Sequence, residues 1–248
     1  MSQTSNPDLP DLPDPLTPPS DHRRRLYGRR LGRPLKLGRE SALALWLPRL
    51  RVTVPEAGLI DPAELFGGAV DDVWLEVGFG SGEHLLAQTR ANPRVGLIGC
   101  EPFINGMAAL LVEIDREPAR AGQIRVLMDD AIPLIKALPD GSLGRVFVLF
   151  PDPWPKARHH KRRFIAPATL DQLARVMRPG AELRVASDDE GYIAWTLEHV
   201  PDHPAFEPLR TASQWRHRPA DWPPTRYEAK ARAQGREPAF FAFQRRGA

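Results

Sequence analysis

Leu75-Glu76-Val77-Gly78-Phe79-Gly80-Ser81-Gly82-Glu83 is the stretch on which the fold turns. An apolar run, Val73–Val77, enters a turn with glycine at every second position. A segment with helical apolar spacing, Glu83–Thr89, leaves it. A glycine-rich turn between strand and helix lets backbone approach a ligand closely. The spacing is GxGxG and not the GxGxxG of a dinucleotide site, and an acid, Glu76, precedes the first glycine.

The same alternation continues on the C-terminal side. Val95–Cys100, Ile124–Met128, Arg145–Phe150 and Ala181–Ala186 read as further buried strands. Between and after them, Ile104–Ile114, Ile132–Leu138, Ala168–Met177 and Glu190–His199 read as helices. Repeated strand and helix at this pitch predict an α/β protein with a doubly wound, mostly parallel sheet. Pro179-Gly180 is expected to stop the helix before the fifth strand. Ala239–Gln244 reads as a last strand, and Glu40–Leu50 as an N-terminal helix packed on the sheet and limited by Pro48.

Acids recur where these strands end. The second strand runs into Glu101, whose two oxygens suit the neighbouring hydroxyls of a ribose. The third runs into Asp129-Asp130-Ala131, with Asp130 a candidate acceptor for an adenine amino group. This set resembles the S-adenosylmethionine-dependent methyltransferase superfamily, which implies a doubly wound Rossmann-like sheet, mostly parallel with an antiparallel last strand. That cofactor has no phosphate, so the loop needs no basic grip.

The fourth strand opens on Phe150-Pro151-Asp152-Pro153-Trp154-Pro155-Lys156, followed by Ala157-Arg158-His159-His160-Lys161-Arg162-Arg163. Prolines on both sides of Asp152 restrict φ and hold the loop at the rim of the sheet. Trp154 is either a stacking face for a base or a core aromatic. The string FPDPWPKARHHKRR resembles the bacterial tRNA (guanine-N7)-methyltransferases. Arg25-Leu26-Tyr27-Gly28-Arg29-Arg30-Leu31-Gly32-Arg33 looks like that family's RSxxxRxGR motif, with Leu26 where serine is usual. Ser187-Asp188 and Thr225-Arg226-Tyr227-Glu228 look like two further motifs of the family, and the likeness spans about residues 23–246.

The resemblance implies that Glu76, Glu101, Asp130 and Asp152 contact S-adenosylmethionine, and that Gly78, Gly80 and Gly82 shape its loop. It implies Asp152 as the catalytic residue at the junction of cofactor and base. Lys156, Asp188, Thr225, Arg226, Tyr227 and Glu228 are then tRNA contacts. The implied reaction methylates N7 of a guanosine in the tRNA variable loop and releases S-adenosylhomocysteine. N7 carries a lone pair and no proton, so no strong general base is required. A carboxylate such as Asp152 or Glu228 can orient the base and stabilise its growing charge, and the sequence leaves open which of these, or proton transfer, is the task of Asp152. The alternative is an amino-methyltransferase acting on adenine or cytosine, whose Asp/Asn-Pro-Pro-aromatic motif the Pro-Asp-Pro-Trp order matches imperfectly. A non-catalytic RNA-binding protein on the same fold is a second rival.

Charge agrees with an RNA partner only when it is mapped along the chain. The 248 residues hold 34 Lys and Arg against 31 Asp and Glu, a net of +3. Residues 71–150 carry seven basic and eleven acidic side chains. Basic residues concentrate instead in Arg23–Arg39, Lys156–Arg163 and Arg210–Arg246, three segments expected to touch phosphates. Proline numbers 27, about twice the ordinary share of roughly 5%. Many of the prolines lie in residues 1–22, a Pro/Asp-rich stretch expected to be disordered ahead of one methyltransferase domain at 23–248. That stretch has neither the apolar core of a signal peptide nor the charge of a transit peptide, so a cytoplasmic location is expected, with an organelle's interior reached by another route as the alternative. A single cysteine excludes a disulfide framework, no metal is expected, and oligomeric state is left open.

Overall fold

β1 (Asp72–Val77) lies inside a seven-stranded sheet, in a computed structural model that describes residue 28 and residues 30–247. On one side come β2 (Val95–Cys100) and β3 (Ile124–Leu127). On the other come β4 (Leu143–Leu149), β5 (Met177–Ser187), β7 (Ala239–Arg245) and β6 (Phe206–Pro208). The first five strands are mutually parallel, β7 is antiparallel to β5, and β6 is antiparallel to β7.

Alternating side chains bury both faces. Val73 and Leu75 join Val146, Val148, Leu183 and Val185 in one core. Helices α4 (Ala131–Ala137), α5 (Pro167–Val176) and α6 (Glu190–Asp202) cover it. Trp74, Leu97, Val126 and Phe147 form the other core, under α1 (Leu37–Leu50), α2 (Glu83–Ala91) and α3 (Ile104–Arg116). Strands hidden on both faces must be apolar nearly throughout, which is why they read as continuous runs.

The path of the chain sets the site. After β3 it crosses back and lays β4 beside β1, so the strand order reverses between these two. Ligands in such sheets bind beyond the carboxyl ends at that reversal. Val77 pairs with Cys100 on one side and Val148 on the other, so the three strand ends are level. Antiparallel β7 starts where β5 ends, with Ala239 opposite Ser187. Its direction brings the segment before β7 to the same edge.

Several expectations need correction. Pro179-Gly180 does not stop a helix. α5 already ends at Val176, because Met177 is buried and paired with Leu143. The Pro-Gly pair lies inside β5 in an irregularity where the register jumps from Leu143↔Met177 to Arg145↔Glu182, with Gly180 at φ +82°. Pro48 lies inside α1, two residues before its end. The helix packs chiefly on α3, where Trp46 Nε1 donates to Asp115 Oδ1 at 2.9 Å. It then feeds Val52, whose N–H donates to the Val126 carbonyl at the edge of β3. β6 and α7 (Arg226–Ala233) were not expected. Residues 1–22, Arg23, Arg24, Arg25, Leu26, Tyr27 and Arg29 lie outside the described residues.

Candidate active site

The loop after β1 turns on Gly78, Gly80 and Gly82, at φ +74°, +60° and +80°. Side chains are strained in this left-handed region. A Cβ on Gly82 would also stand 2.5 Å from the Leu110 side chain of α3. Gly106, in the first turn of α3, was not singled out from the sequence. A Cβ there would stand 2.3 Å from the Gly80 carbonyl oxygen, so α3 is seated directly against the loop.

Glu101 closes the loop from β2. Its Oε2 accepts from the Gly80 N–H at 2.7 Å and its Oε1 from the Phe103 N–H at 2.9 Å. Burial raises its pKa against these two bonds, and repulsion from Asp152 and Glu76 adds to the rise. Glu76 is buried beside it, with Oε2 2.8 Å from Nδ1 of His84. Asp130 caps α4, accepting from the Ile132 N–H at 3.0 Å. The adjacent Asp129 faces Arg30 at 3.8 Å.

The Pro-Asp-Pro-Trp loop leaves β4 next to this cluster. Phe150 and Trp154 bracket it at φ +51° and +45°, an arrangement that costs on the order of 1–3 kcal/mol per residue and persists only where surroundings impose it. Arg163 is part of what imposes it. It is almost fully buried, its Nε donates to the Pro153 carbonyl at 2.9 Å, and its guanidinium lies 4.9 Å from the Trp195 ring centroid. Arg163 therefore does not face phosphates, contrary to the expectation for its run. Lys156, Arg158 and Lys161 are exposed. Trp154 is half-buried, with Arg162 over its ring at 4.9 Å and His159 edge-on at 5.9 Å. Asp152 is an exposed residue at the rim and makes no ion pair with a described residue. Desolvation by the loop walls still raises its pKa.

The C-terminal motif reaches the same place. Thr225 caps α7 by accepting from the Glu228 N–H at 3.2 Å. Tyr227 stacks along Phe150 at 6.3 Å and would contact a Cβ on Gly80 at 3.0 Å. Arg226 pairs with Glu83 at 3.6 Å. Glu228 is buried between Arg218 and Arg232, each 3.1 Å away, so its charge is already compensated. Asp188, beyond β5, pairs with Arg236 at 2.5 Å. Most C-terminal arginines expected to touch phosphates are engaged internally, Arg216 on Glu190 among them. The grouped carboxylates of Glu76, Glu101, Asp130 and Asp152 suit a cationic ligand that carries hydroxyl groups and needs no phosphate grip.

A switch-point glycine loop ringed by acids, on a sheet closed by an antiparallel strand, defines a Rossmann-like methyltransferase. A family model described as "Putative methyltransferase" matches residues 71–240. The tRNA (guanine-N(7)-)-methyltransferase of Paramagnetospirillum magneticum is 54% identical over 225 residues, covering 90% of this chain and 94% of that one. The tRNA (guanine-N(7)-)-methyltransferase of Rhodospirillum rubrum is 53% identical over 228 residues, covering 90% and 88%. The chain belongs to the tRNA (guanine-N(7)-)-methyltransferase family. Among solved structures, a mutant 16S rRNA (adenine(1408)-N(1))-methyltransferase from Catenulisporales acidiphilia shares the fold, with TM-score 0.50, 18% identity, and coverage of 79% of this chain and 96% of that one.

Proposed function

We propose that this protein transfers a methyl group from S-adenosylmethionine to N7 of a guanosine in the tRNA variable loop, giving 7-methylguanosine. The observation that carries the reading is the level pairing of Val77 with Val148, which sets the glycine loop and the Pro-Asp-Pro-Trp loop side by side. One holds the donor and the other the acceptor base, so the reactants meet at the reversal of the sheet.

Glu101 and Asp130 are read as acceptors for the ribose and adenine groups of the cofactor, and Glu76 as a carboxylate facing its cationic end. The cofactor, when bound, supplies an electrophilic methyl on sulfur. Asp152 orients the guanine and offsets the positive charge that builds on the ring, without taking a proton. Of the two carboxylates considered for that task, Asp152 is the one without an arginine partner among the described residues. Lys156, Asp188, Thr225, Arg226 and Tyr227 are read as tRNA contacts, with Glu228 supporting α7 from within. The cytoplasm is where such a chain meets its substrate.

The test incubates the protein with unmodified tRNA and methyl-labelled S-adenosylmethionine, then treats the RNA with borohydride and aniline. Cleavage at a single variable-loop guanosine is the expected result. Label without cleavage would assign another base or atom, the amino-methyltransferase outcome.

A further inference from the structure

Glu76 is one end of a buried chain of polar groups. Its Oε2 lies 2.8 Å from Nδ1 of His84, in the first turn of α2, and both side chains are almost wholly buried. The His84 ring stands edge-on to Phe147 at 4.6 Å. Its other nitrogen, Nε2, lies 3.2 Å from Nε2 of Gln88.

Two outside groups set which way the Gln88 amide points. Its Nε2 donates to the Asp221 carbonyl at 3.4 Å, and its Oε1 accepts from Asn92 Nδ2 at 3.3 Å. Asn92 is in turn oriented by donating to the Gln88 backbone carbonyl at 2.9 Å. With a donor at Gln88 Nε2, the facing His84 Nε2 must accept, so the ring proton sits on Nδ1 and is donated to Glu76.

We propose that His84 is a positioning residue for the cofactor. A neutral imidazole protonated on Nδ1 holds Oε2 of Glu76 and leaves Oε1, which bonds no described residue, for the ligand. An untethered carboxylate would rotate about its last torsion and lose that freedom on binding; His84 removes this cost in advance. The inference rests on the reading of Glu76 as a cofactor contact.

Calorimetric titration of S-adenosylmethionine into the wild type, His84→Phe, His84→Asn and Glu76→Gln tests both. His84→Phe should weaken the cofactor about ten-fold, while KM for tRNA changes less than about two-fold. His84→Asn, whose amide N–H falls near the Nδ1 position, should recover most of the loss. Glu76→Gln should weaken binding at least as much as His84→Phe. Normal binding by Glu76→Gln overturns the cofactor reading of Glu76. A weak Glu76→Gln beside a normal His84→Phe overturns the positioning role alone. Nitrogen-15 spectra of the wild type give a readout free of folding effects, with the His84 signal identified by its loss in His84→Asn. An Nδ1–H tautomer is expected, and an Nε2–H form or an imidazolium near neutral pH overturns the proposal.

Discussion

Asp152 and Glu101 are carboxyls whose environments oppose ionisation, and this has a sign in pH. Desolvation raises both, and for Glu101 the neighbouring Asp152 raises it further. Each therefore takes up a proton at higher pH than an ordinary carboxyl as the solution is acidified. Their contribution to folding is present at low pH and is lost as pH rises through the folded values, so the charged pocket strains the ligand-free protein. S-adenosylmethionine affinity should fall on acidification before the ordinary carboxylate range is reached. Asp152→Asn should move that acid limb to lower pH by relieving Glu101, as calorimetry across pH would register. The same substitution should cut turnover about a hundred-fold, measured with saturating cofactor and tRNA. Full turnover with unchanged cofactor affinity would remove Asp152 from the mechanism.

At the scale of elements, the glycine loop depends on a helix it does not belong to. Gly106→Ala would drive a Cβ into the Gly80 carbonyl, costing about 1–3 kcal/mol of stability and weakening S-adenosylmethionine in parallel. A change at Gly122, where a Cβ meets nothing within 4 Å, is the control, and urea midpoints with cofactor titrations check both. The glycine loop and five parallel strands were legible because sequence and burial share one pattern there. α7 was not, because only Glu228 and Ala231 of its eight residues are buried and no apolar stripe marks it. Its readable signal was Thr225 three residues ahead of Glu228, a helix-start pattern. The three-residue β6 carries too little sequence to stand out. His84 and Gln88 were legible only as polar residues one turn apart. Their role depends on Glu76, across the glycine loop, and on Asp221, which lies 133 residues beyond Gln88.

Across the whole molecule the basic residues divide by partner, which their run-like sequence conceals. Arg163 sits among cations in sequence but is buried against Pro153, Tyr192 and Trp195. Arg163→Ala should destabilise the protein by about 2–3 kcal/mol and abolish activity. Its tRNA affinity should keep the wild-type slope against salt. Lys161→Ala should do the reverse, leaving stability intact and lowering that slope by about one. Filter-binding titrations over a salt series separate the two. The C-terminal arginines belong to a third group. Arg226 on Glu83, Arg236 on Asp188 and Arg216 on Glu190 already hold carboxylates that lie beyond the carboxyl ends of β1 and β5. If this edge takes up tRNA as proposed, these acids occupy the arginines that phosphates would need, and the arriving backbone has to exchange partners with them. Any polyanion would meet that competition, whereas only one whose phosphates match the arginine spacing would recover what the exchange costs. On that reading the pairing would make the surface a filter for shape among chains of equal charge.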